Sequence, residues 1–294
     1  MKTKLTSTDD TKMIPPTPQL PADQPLAGAA APGYYLYEDS GWRFLPQGEV
    51  IEEKECCIYV NGEELLSMAA TPVQLDALAL GFLMNEGIVK QPAEVVELAI
   101  KGDGTCVDVW LDHPVVLPTR KVLTSGCTGG VTFNELAAKL DPMESQVVTT
   151  LDELQEALRA LYAAGHLYGI TRGVHTSILW RDGAVLASGE DVGRHNTLDK
   201  LRGQCLQQGI DTHDSLLLST GRISSEMLSK GVRMGCPIIA SRTSATSMSV
   251  ELARRWNVTL VGYFRGNVQN NRLGQTRFYS HPERILHEGL GTQQ

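Results

Sequence analysis

Three short apolar runs near the C-terminal end, 215–219, 237–240 and 259–263, constrain the fold most. Each ends in small polar residues and an arginine, and the first two lead into helix-compatible stretches at 223–234 and 246–256. Short apolar runs alternating with helices predict an α/β fold, a largely parallel sheet with helices on its faces. Parallel strands gather their carboxyl ends on one edge, and open α/β sheets bind ligands beyond that edge. The three ends read Ser219-Thr220-Gly221-Arg222, Ser241-Arg242-Thr243-Ser244 and Phe264-Arg265-Gly266-Asn267. Small residues leave room for a ligand, helix N-termini offer unpaired N–H groups, and arginine grips phosphate with a two-pronged fork. The expected ligand therefore carries phosphate. Neither a Walker motif nor a G-x-G-x-x-G fingerprint is present, which sets the site apart from P-loop and Rossmann enzymes.

Upstream, Thr150-x-x-Glu153 has the form of a capping box and predicts a helix to about residue 163. Residues 174–180 and 184–188 predict a hairpin around Asp182-Gly183, followed by a helix at 196–208 with Asn196 and Asp199 as its cap. The first half is richer in strands, with one at 50–60 turned at Asn61-Gly62 and returned by 65–68. Thr71 as N-cap, Pro72 and Gln74 then predict a helix whose Leu75, Leu78, Ala79, Phe82 and Leu83 share one apolar face, ending at Gly87. Strands at 94–100 and 106–111 follow. Residues 1–33 hold six of the fourteen prolines and read as a disordered tail. The division expected is a tail over 1–33, a smaller β-rich α+β domain over 34–149 and an α/β domain over 150–294.

The 294 residues, 42% of them hydrophobic, suffice for a real core. A net charge of −8 argues against a general nucleic-acid binder. The longest apolar run, 77–84, is too short to span a bilayer, and the N-terminus lacks a signal-peptide pattern, so a cytoplasmic protein without membrane contact is expected. Six cysteines without a C-x-x-C pair argue against a disulfide framework or zinc site. Cys56, Cys57, Cys106, Cys205 and Cys236 fall in or beside predicted elements and are expected to be structural. Cys127 differs: Thr124-Ser125-Gly126-Cys127-Thr128-Gly129-Gly130 places a thiol in a glycine-rich loop, where it can serve as a nucleophile or sulfur carrier. Finally, Gly189-Glu190-Asp191-Val192-Gly193-Arg194-His195-Asn196 crowds two acids, an arginine and a histidine into one turn. Such a run suits a salt-bridged corner and an acid/base or ligand-contacting site equally.

Four segments together resemble the FdhD family, the accessory sulfurtransferases of formate dehydrogenase. They are Val60-Asn61-Gly62 with Thr71-Pro72 through Gly81-Phe82-Leu83 and Glu86-Gly87-Ile88, the 124–130 loop, the 189–196 run with Asp199-Lys200, and Ser219–Arg222 through Arg265-Gly266. The likeness spans about residues 50–284. It implies a C-terminal cytidine deaminase-like three-layer domain and a homodimer. It further implies that Cys127 accepts sulfur from a cysteine desulfurase as a persulfide. The sulfur would pass to a molybdenum or tungsten bis-guanine-dinucleotide cofactor, a bound substrate, before that cofactor enters the catalytic subunit of formate dehydrogenase. On the same resemblance, Tyr263, Phe264, Arg265, Gly266, Asn267 and Val268 form the cofactor-binding stretch, beside Arg222 and Arg242 at the other strand ends. Some family members carry a second loop cysteine. Here that position is Gly130, so Cys127 alone would accept and donate. Two rivals stand beside this reading. A zinc nucleoside deaminase needs H-x-E and P-C-x-x-C, but His175 is followed by Thr176-Ser177 and Cys236-Pro237 has no second cysteine. A non-catalytic chaperone for the cofactor and the apo-dehydrogenase would use everything except Cys127.

Overall fold

A computed structural model of the chain describes residues 26–102, 104–116, 122–123, 131–132, 140–265 and 275–286, with the backbone alone at 122–123 and 131–132. The chain enters through β1 (Ala29–Ala30), which pairs with β4 (Val50–Ile51). Between them β2 (Tyr34–Glu38) and β3 (Gly41–Leu45) form a hairpin of their own. β5 (Lys54–Val60) turns into β6 (Glu63–Ala70) at Asn61 and Gly62, whose φ angles of 51° and 84° suit that pair of residues. α1 (Leu75–Glu86), β7 (Val95–Lys101) and β8 (Cys106–Leu111) complete a four-stranded sheet in the order β6-β5-β8-β7. Ile58, Val60, Val107 and Val109 alternate along β5 and β8 and pack against Leu75, Leu78, Ala79, Phe82 and Leu83 of α1, the face its spacing predicts.

The rest of the chain builds a larger, mixed sheet. β9 (Val122–Leu123) pairs with β10 (Val131–Thr132), and β11 (Thr149–Thr150) leads into α2 (Leu151–Ala163) and α3 (His166–Thr171). Then come β12 (His175–Arg181), β13 (Ala184–Asp191), α4 (Arg194–Gln208), β14 (Leu216–Ser219), α5 (Ser225–Arg233), β15 (Ile238–Ser241), α6 (Ser247–Arg255), β16 (Thr259–Gly262), β17 (Arg277–Ser280) and β18 (Ile285–Leu286), the last pairing with β11. The six-stranded order is β13-β12-β14-β15-β16-β17. β14, β15 and β16 are buried on both faces, as parallel strands between helices must be. Leu217, Ile239 and Leu260 face residues of α4, α5 and α6, while Leu216, Leu218, Ile238 and Val261 face Leu154, Leu158 and Leu161 of α2. The result is three layers, helix on sheet on helix. No helix among the described residues is long and apolar enough to cross a membrane.

Five local expectations need correction. Residues 26–33, expected within the disordered tail, are described, and Ala29–Ala30 pairs with Val50–Ile51. The sheet is parallel only across β14-β15-β16, because the tight turn at Asp182-Gly183 makes β12 and β13 antiparallel, and β17 also runs against β16. Thr71 does not cap α1. Gln74 holds that position in the left-handed region, and Thr71 instead serves a long-range contact. Gly193, not Asn196 or Asp199, precedes the first turn of α4. Cys57 and Cys106 are half-buried rather than core, and they join as a disulfide across the paired strands β5 and β8, Cα atoms 4.3 Å apart. Cys56, Cys205 and Cys236 are buried, as expected.

The two sheets are joined where α1 crosses α4. Gly81 and Gly203 let the backbones touch: a Cβ on Gly81 would lie 1.9 Å from the Asp199 carbonyl oxygen, and one on Gly203 would lie 1.9 Å from that of Ala77. Buried charges flank the crossing. Lys200 Nζ reaches Asp191 Oδ2 at 2.7 Å and donates to the carbonyls of Thr71 and Glu190. Lys230 Nζ donates to Asp199 Oδ2 at 2.6 Å, and Asn85 Nδ2 donates to Asp199 Oδ1 at 2.6 Å. Burial opposes the charge on Lys230, but Asp199, Glu226 and Glu86 outweigh it and hold the ammonium above the usual lysine range.

Candidate functional site at the strand ends

Strand register decides which loops share an edge. Ser219 at the end of β14 lies beside Ser241 at the end of β15, and Gly262 at the end of β16 lies beside Arg277 at the start of β17. Because β12 runs against β14, its first residues, His175 and Thr176, come to the same edge, and antiparallel pairing brings Asp191 beside His175. Backbone bonds stitch the segments together: Thr220 N to Thr176 O, Arg242 N to Ser219 O, Tyr263 N to Thr243 O and Phe264 N to Ser241 O. The Glu190–His195 turn and the three arginine-bearing ends therefore form one neighbourhood.

The buried hydroxyls there are satisfied internally. Ser177 bonds both Thr197 and Ser219, and Ser241 Oγ donates to the Gly221 carbonyl at 2.6 Å. Ser219 and Ser241 are thus structural; they do not leave room for a ligand. Gly221 lets the loop close on its neighbour, since a Cβ there would press within 2.8 Å of Arg194 Cβ.

The outward layer is arginine and tyrosine. Arg222 and Arg265 are exposed and Arg242 is half-buried. Arg242 donates to the Tyr168 hydroxyl at 3.2 Å and lies 5.5 Å from the centroid of the Tyr162 ring. Arg265 Nε donates to the Arg242 carbonyl at 3.3 Å. Tyr263, in the left-handed region at φ 53°, is flanked by Arg277 at 4.2 Å and Arg265 at 6.0 Å from its ring centroid, while Arg172 sits 5.0 Å from the Tyr168 ring. Burial works to raise the Tyr168 phenol, yet Arg242 and Arg172 together outweigh it and hold it below the usual tyrosine value. Among the described residues, no carboxylate forms an ion pair with Arg222, Arg265 or Arg277. A cationic rim lined by aromatic faces can take a phosphate-bearing ligand with a planar ring.

The acidic and histidine side chains behind this rim are already engaged. Glu190 accepts from the backbone N–H groups of Leu167 and Tyr168, at 2.8 and 2.9 Å, and so holds the start of α3. Asp191 accepts from Thr71 N, Gly193 N and Asn196 Nδ2. His195 Nε2 lies 3.2 Å from Glu226 and 3.3 Å from Ser224 Oγ. Burial, aided by Lys230 and Arg194, pushes His195 well below its usual pKa, and burial with Arg194 lowers His175 also. Among the described residues, no group of three or more His, Cys, Asp or Glu side chains is placed to hold a metal ion.

The sequence pattern of the FdhD/NarQ family matches residues 51–286. The chain belongs to the FdhD/NarQ family. It is 35% identical over 244 residues to the sulfur carrier protein FdhD of Wolinella succinogenes, covering 80% of this chain and 82% of that protein. A sulfur carrier protein FdhD of Staphylococcus aureus is 33% identical over 257 residues, covering 85% and 94%. Among solved structures, a formate dehydrogenase accessory protein of Desulfotalea psychrophila superposes with a TM-score of 0.71 at 28% identity, covering 88% of this chain and 99% of that one.

Within this FdhD/NarQ chain, the structure brings Arg222, Arg242, Tyr263 and Arg265 to one edge. Phe264 is different: the residue is 1% exposed, its side chain packs in the core over α2, and its N–H is already bonded to the Ser241 carbonyl, so it does not face the edge where a ligand would sit. Cys127, Gly130, Gly266, Asn267 and Val268 lie outside the described residues, although β9 and β10 pair on either side of residues 124–130. Tyr162, Tyr168, Arg172 and Arg277 were missed from sequence. Tyr162 and Tyr168 sit on α2 and α3 and Arg172 just past α3, far along the chain from the three motif ends, while Arg277 follows the third end closely and is delivered by the antiparallel β17.

Proposed function

We propose that this chain is a sulfur carrier that serves the maturation of formate dehydrogenase, with Cys127 as the carrying residue. The Cys127 thiolate attacks the outer, sulfane sulfur of a cysteine desulfurase persulfide. A new S–S bond forms at Cys127, the desulfurase S–S bond breaks, and the desulfurase cysteine leaves as thiolate. The sulfur would then pass to the metal of a molybdenum or tungsten bis-guanine-dinucleotide cofactor, the bound substrate, before that cofactor enters the dehydrogenase catalytic subunit: the Cys127 S–S bond breaks, Cys127 leaves as thiolate, and the two electrons that reduce the sulfane sulfur to sulfide come from the metal, oxidised from the +4 to the +6 state. Arg222, Arg242 and Arg265, with Arg277, grip the phosphates of that substrate, and the faces of Tyr263 and its neighbours receive its rings. The gathering of these arginines on one edge is the observation that carries the reading.

The cysteine inventory supports the choice of Cys127. Burial pushes the Cys205 thiol up to about 11 and raises Cys236 further, so neither offers thiolate at neutral pH. Cys56 is buried, and Cys57 and Cys106 engage each other. The three-layer arrangement supports a cytidine deaminase-like architecture for residues 150–294, and the reading includes a cytoplasmic homodimer. Incubation with a desulfurase and cysteine should add one sulfur to the chain, mapped by mass spectrometry to Cys127. Cys127→Ala should lose that adduct and dehydrogenase activation while keeping guanine-nucleotide binding. Full activation by the variant would instead make the protein a non-catalytic chaperone. Arg265→Ala should weaken guanine-nucleotide binding by about 1.5–3 kcal/mol, the worth of a charged hydrogen bond. Unchanged affinity by calorimetry would remove Arg265 from the site.

A further inference from the structure

The hairpin β2–β3 carries an aromatic face that nothing in the described residues covers. Tyr35 stands opposite Phe44 and Tyr37 opposite Trp42, with ring centroids 4.8 and 4.9 Å apart. Because side chains alternate along a strand, all four rings share one side of the hairpin. Their exposures are large for aromatics: 69% for Tyr35, 67% for Tyr37, 73% for Trp42 and 50% for Phe44. The other side is occupied differently, since Tyr34 and Leu45 border a cavity of about 400 Å³ together with Ile170 of α3. The hairpin thus turns one side to the body of the protein and presents a ladder of four rings on the other. An exposed contiguous aromatic patch of this kind marks an interaction surface.

The residues that precede the described chain have the chemistry such a ladder accepts. Residues 13–25 read Met-Ile-Pro-Pro-Thr-Pro-Gln-Leu-Pro-Ala-Asp-Gln-Pro, with five prolines and Asp23 as the one charge. Proline-rich segments favour the extended polyproline II conformation and dock on aromatic-lined grooves with little ordering cost. The lengths agree. Five residues of polyproline II span about 16 Å at about 3.1 Å each, and a five-residue strand spans about 17 Å. The reach agrees too. Leu26 packs near Ala29 and Leu167, eight residues before Tyr34, a separation of at most about 29 Å along the chain. Thirteen residues at about 3.1 Å extend about 40 Å, enough to double back over the ladder. Tethering through so short a connection sets an effective concentration in the millimolar range, so even a weak contact would be occupied.

We propose that residues 13–25 dock onto the Tyr35–Tyr37–Trp42–Phe44 face of the same chain as a polyproline II segment. The test uses the full chain labelled with 5-fluorotryptophan. Its four tryptophans give four fluorine resonances, and Trp42→Phe identifies the one from the ladder. Replacing Pro15, Pro16, Pro18 and Pro21 together by serine should shift the Trp42 resonance and leave those of Trp110, Trp180 and Trp256 in place, which also shows that the variant is folded. Adding a synthetic peptide of the natural residues 13–25 at millimolar concentration should move the signal back. A Trp42 resonance identical in the natural and substituted chains overturns the proposal. So does a Trp42 shift that follows protein concentration and ignores the proline substitutions, because the ladder would then be covered by a second copy.

Discussion

The crossing of α1 and α4 invites a perturbation whose size can be worked from distances. Gly81→Ala would place a Cβ 1.9 Å from the Asp199 carbonyl oxygen and 2.8 Å from Gly203 N, against a practical minimum near 3.0 Å. Backbone on both sides leaves no side chain to swing away, so the helices must part by about 1 Å. Overpacking of this kind costs about 1–3 kcal/mol. Parting also stretches the 2.6 Å bond from Asn85 to Asp199, a charged hydrogen bond worth about 1.5–3 kcal/mol. Alanine returns about 1 kcal/mol through its higher helix propensity. The net expectation is a loss of about 1.5–5 kcal/mol. In urea, with a slope near 3 kcal/mol/M, that lowers the midpoint by about 0.5–1.7 M. Gly169→Ala supplies the control, because its Cβ meets nothing within 4 Å, and it should leave the midpoint equal or slightly raised. If Gly81→Ala unfolds at the natural midpoint while the control behaves as stated, the close backbone approach is not what joins the two sheets.

Two further predictions concern the acidic and histidine residues behind the rim. Glu190→Gln keeps the shape but offers one acceptor oxygen and a competing amide to the N–H groups of Leu167 and Tyr168, a loss of about 1–3 kcal/mol. With α3 loosened, Tyr168 should part from Arg242 and titrate at higher pH, read by carbon-13 tyrosine NMR; an unchanged Tyr168 titration would show that Glu190 does not position it. His195 is neutral in the fold because its pKa is lowered, so the unfolded chain takes up a proton that the native one resists. Its contribution to stability is therefore present above about pH 6.5 and is lost as pH falls below that value toward the lower native pKa. Urea midpoints measured from pH 8 to 5 should fall more steeply for the natural protein than for His195→Gln, and parallel curves would mean that His195 is not buried as a neutral ring.

Local signals were legible where the chain satisfied them locally. Asn61-Gly62 and Asp182-Gly183 take the positive φ angles their residue types allow, and Thr150 Oγ1 does accept from Glu153 N at the start of α2. Thr71 shows the limit. It has the same capping signature as Thr150, yet its N–H donates to Asp191 Oδ2, its hydroxyl accepts from Val192 N and its carbonyl accepts from Lys200. Partners more than a hundred residues away outcompete the local cap, and no window of sequence contains them. The strand ends show the same limit for the site. The motifs located the edge, but which of Tyr263 and Phe264 faces outward depends on the β16–α2 packing, and Arg277 arrives through an antiparallel partner that the alternation of strands and helices did not suggest.

The most distinctive run in the chain, Glu190 to Asn196, is distinctive because it is built inward. Glu190 holds α3, Asp191 holds Thr71 and Lys200, His195 holds Glu226, and Asn196 Nδ2 donates to the Ala69 carbonyl as well as to Asp191. Each of these four side chains answers a partner of one chemistry at one distance, so replacing any of them leaves a buried polar group without its match, at about 1–3 kcal/mol each. Arg222 and Arg265 are in the opposite situation, exposed and without a carboxylate partner among the described residues, and their replacement leaves nothing buried behind. Loss of activity on mutating the Glu190–Asn196 run would therefore report folding and ligand binding together. Loss of nucleotide affinity at Arg222 or Arg265 with an unchanged urea midpoint would report the ligand alone, so the arginine rim is where the proposed site is tested separately from the fold that carries it.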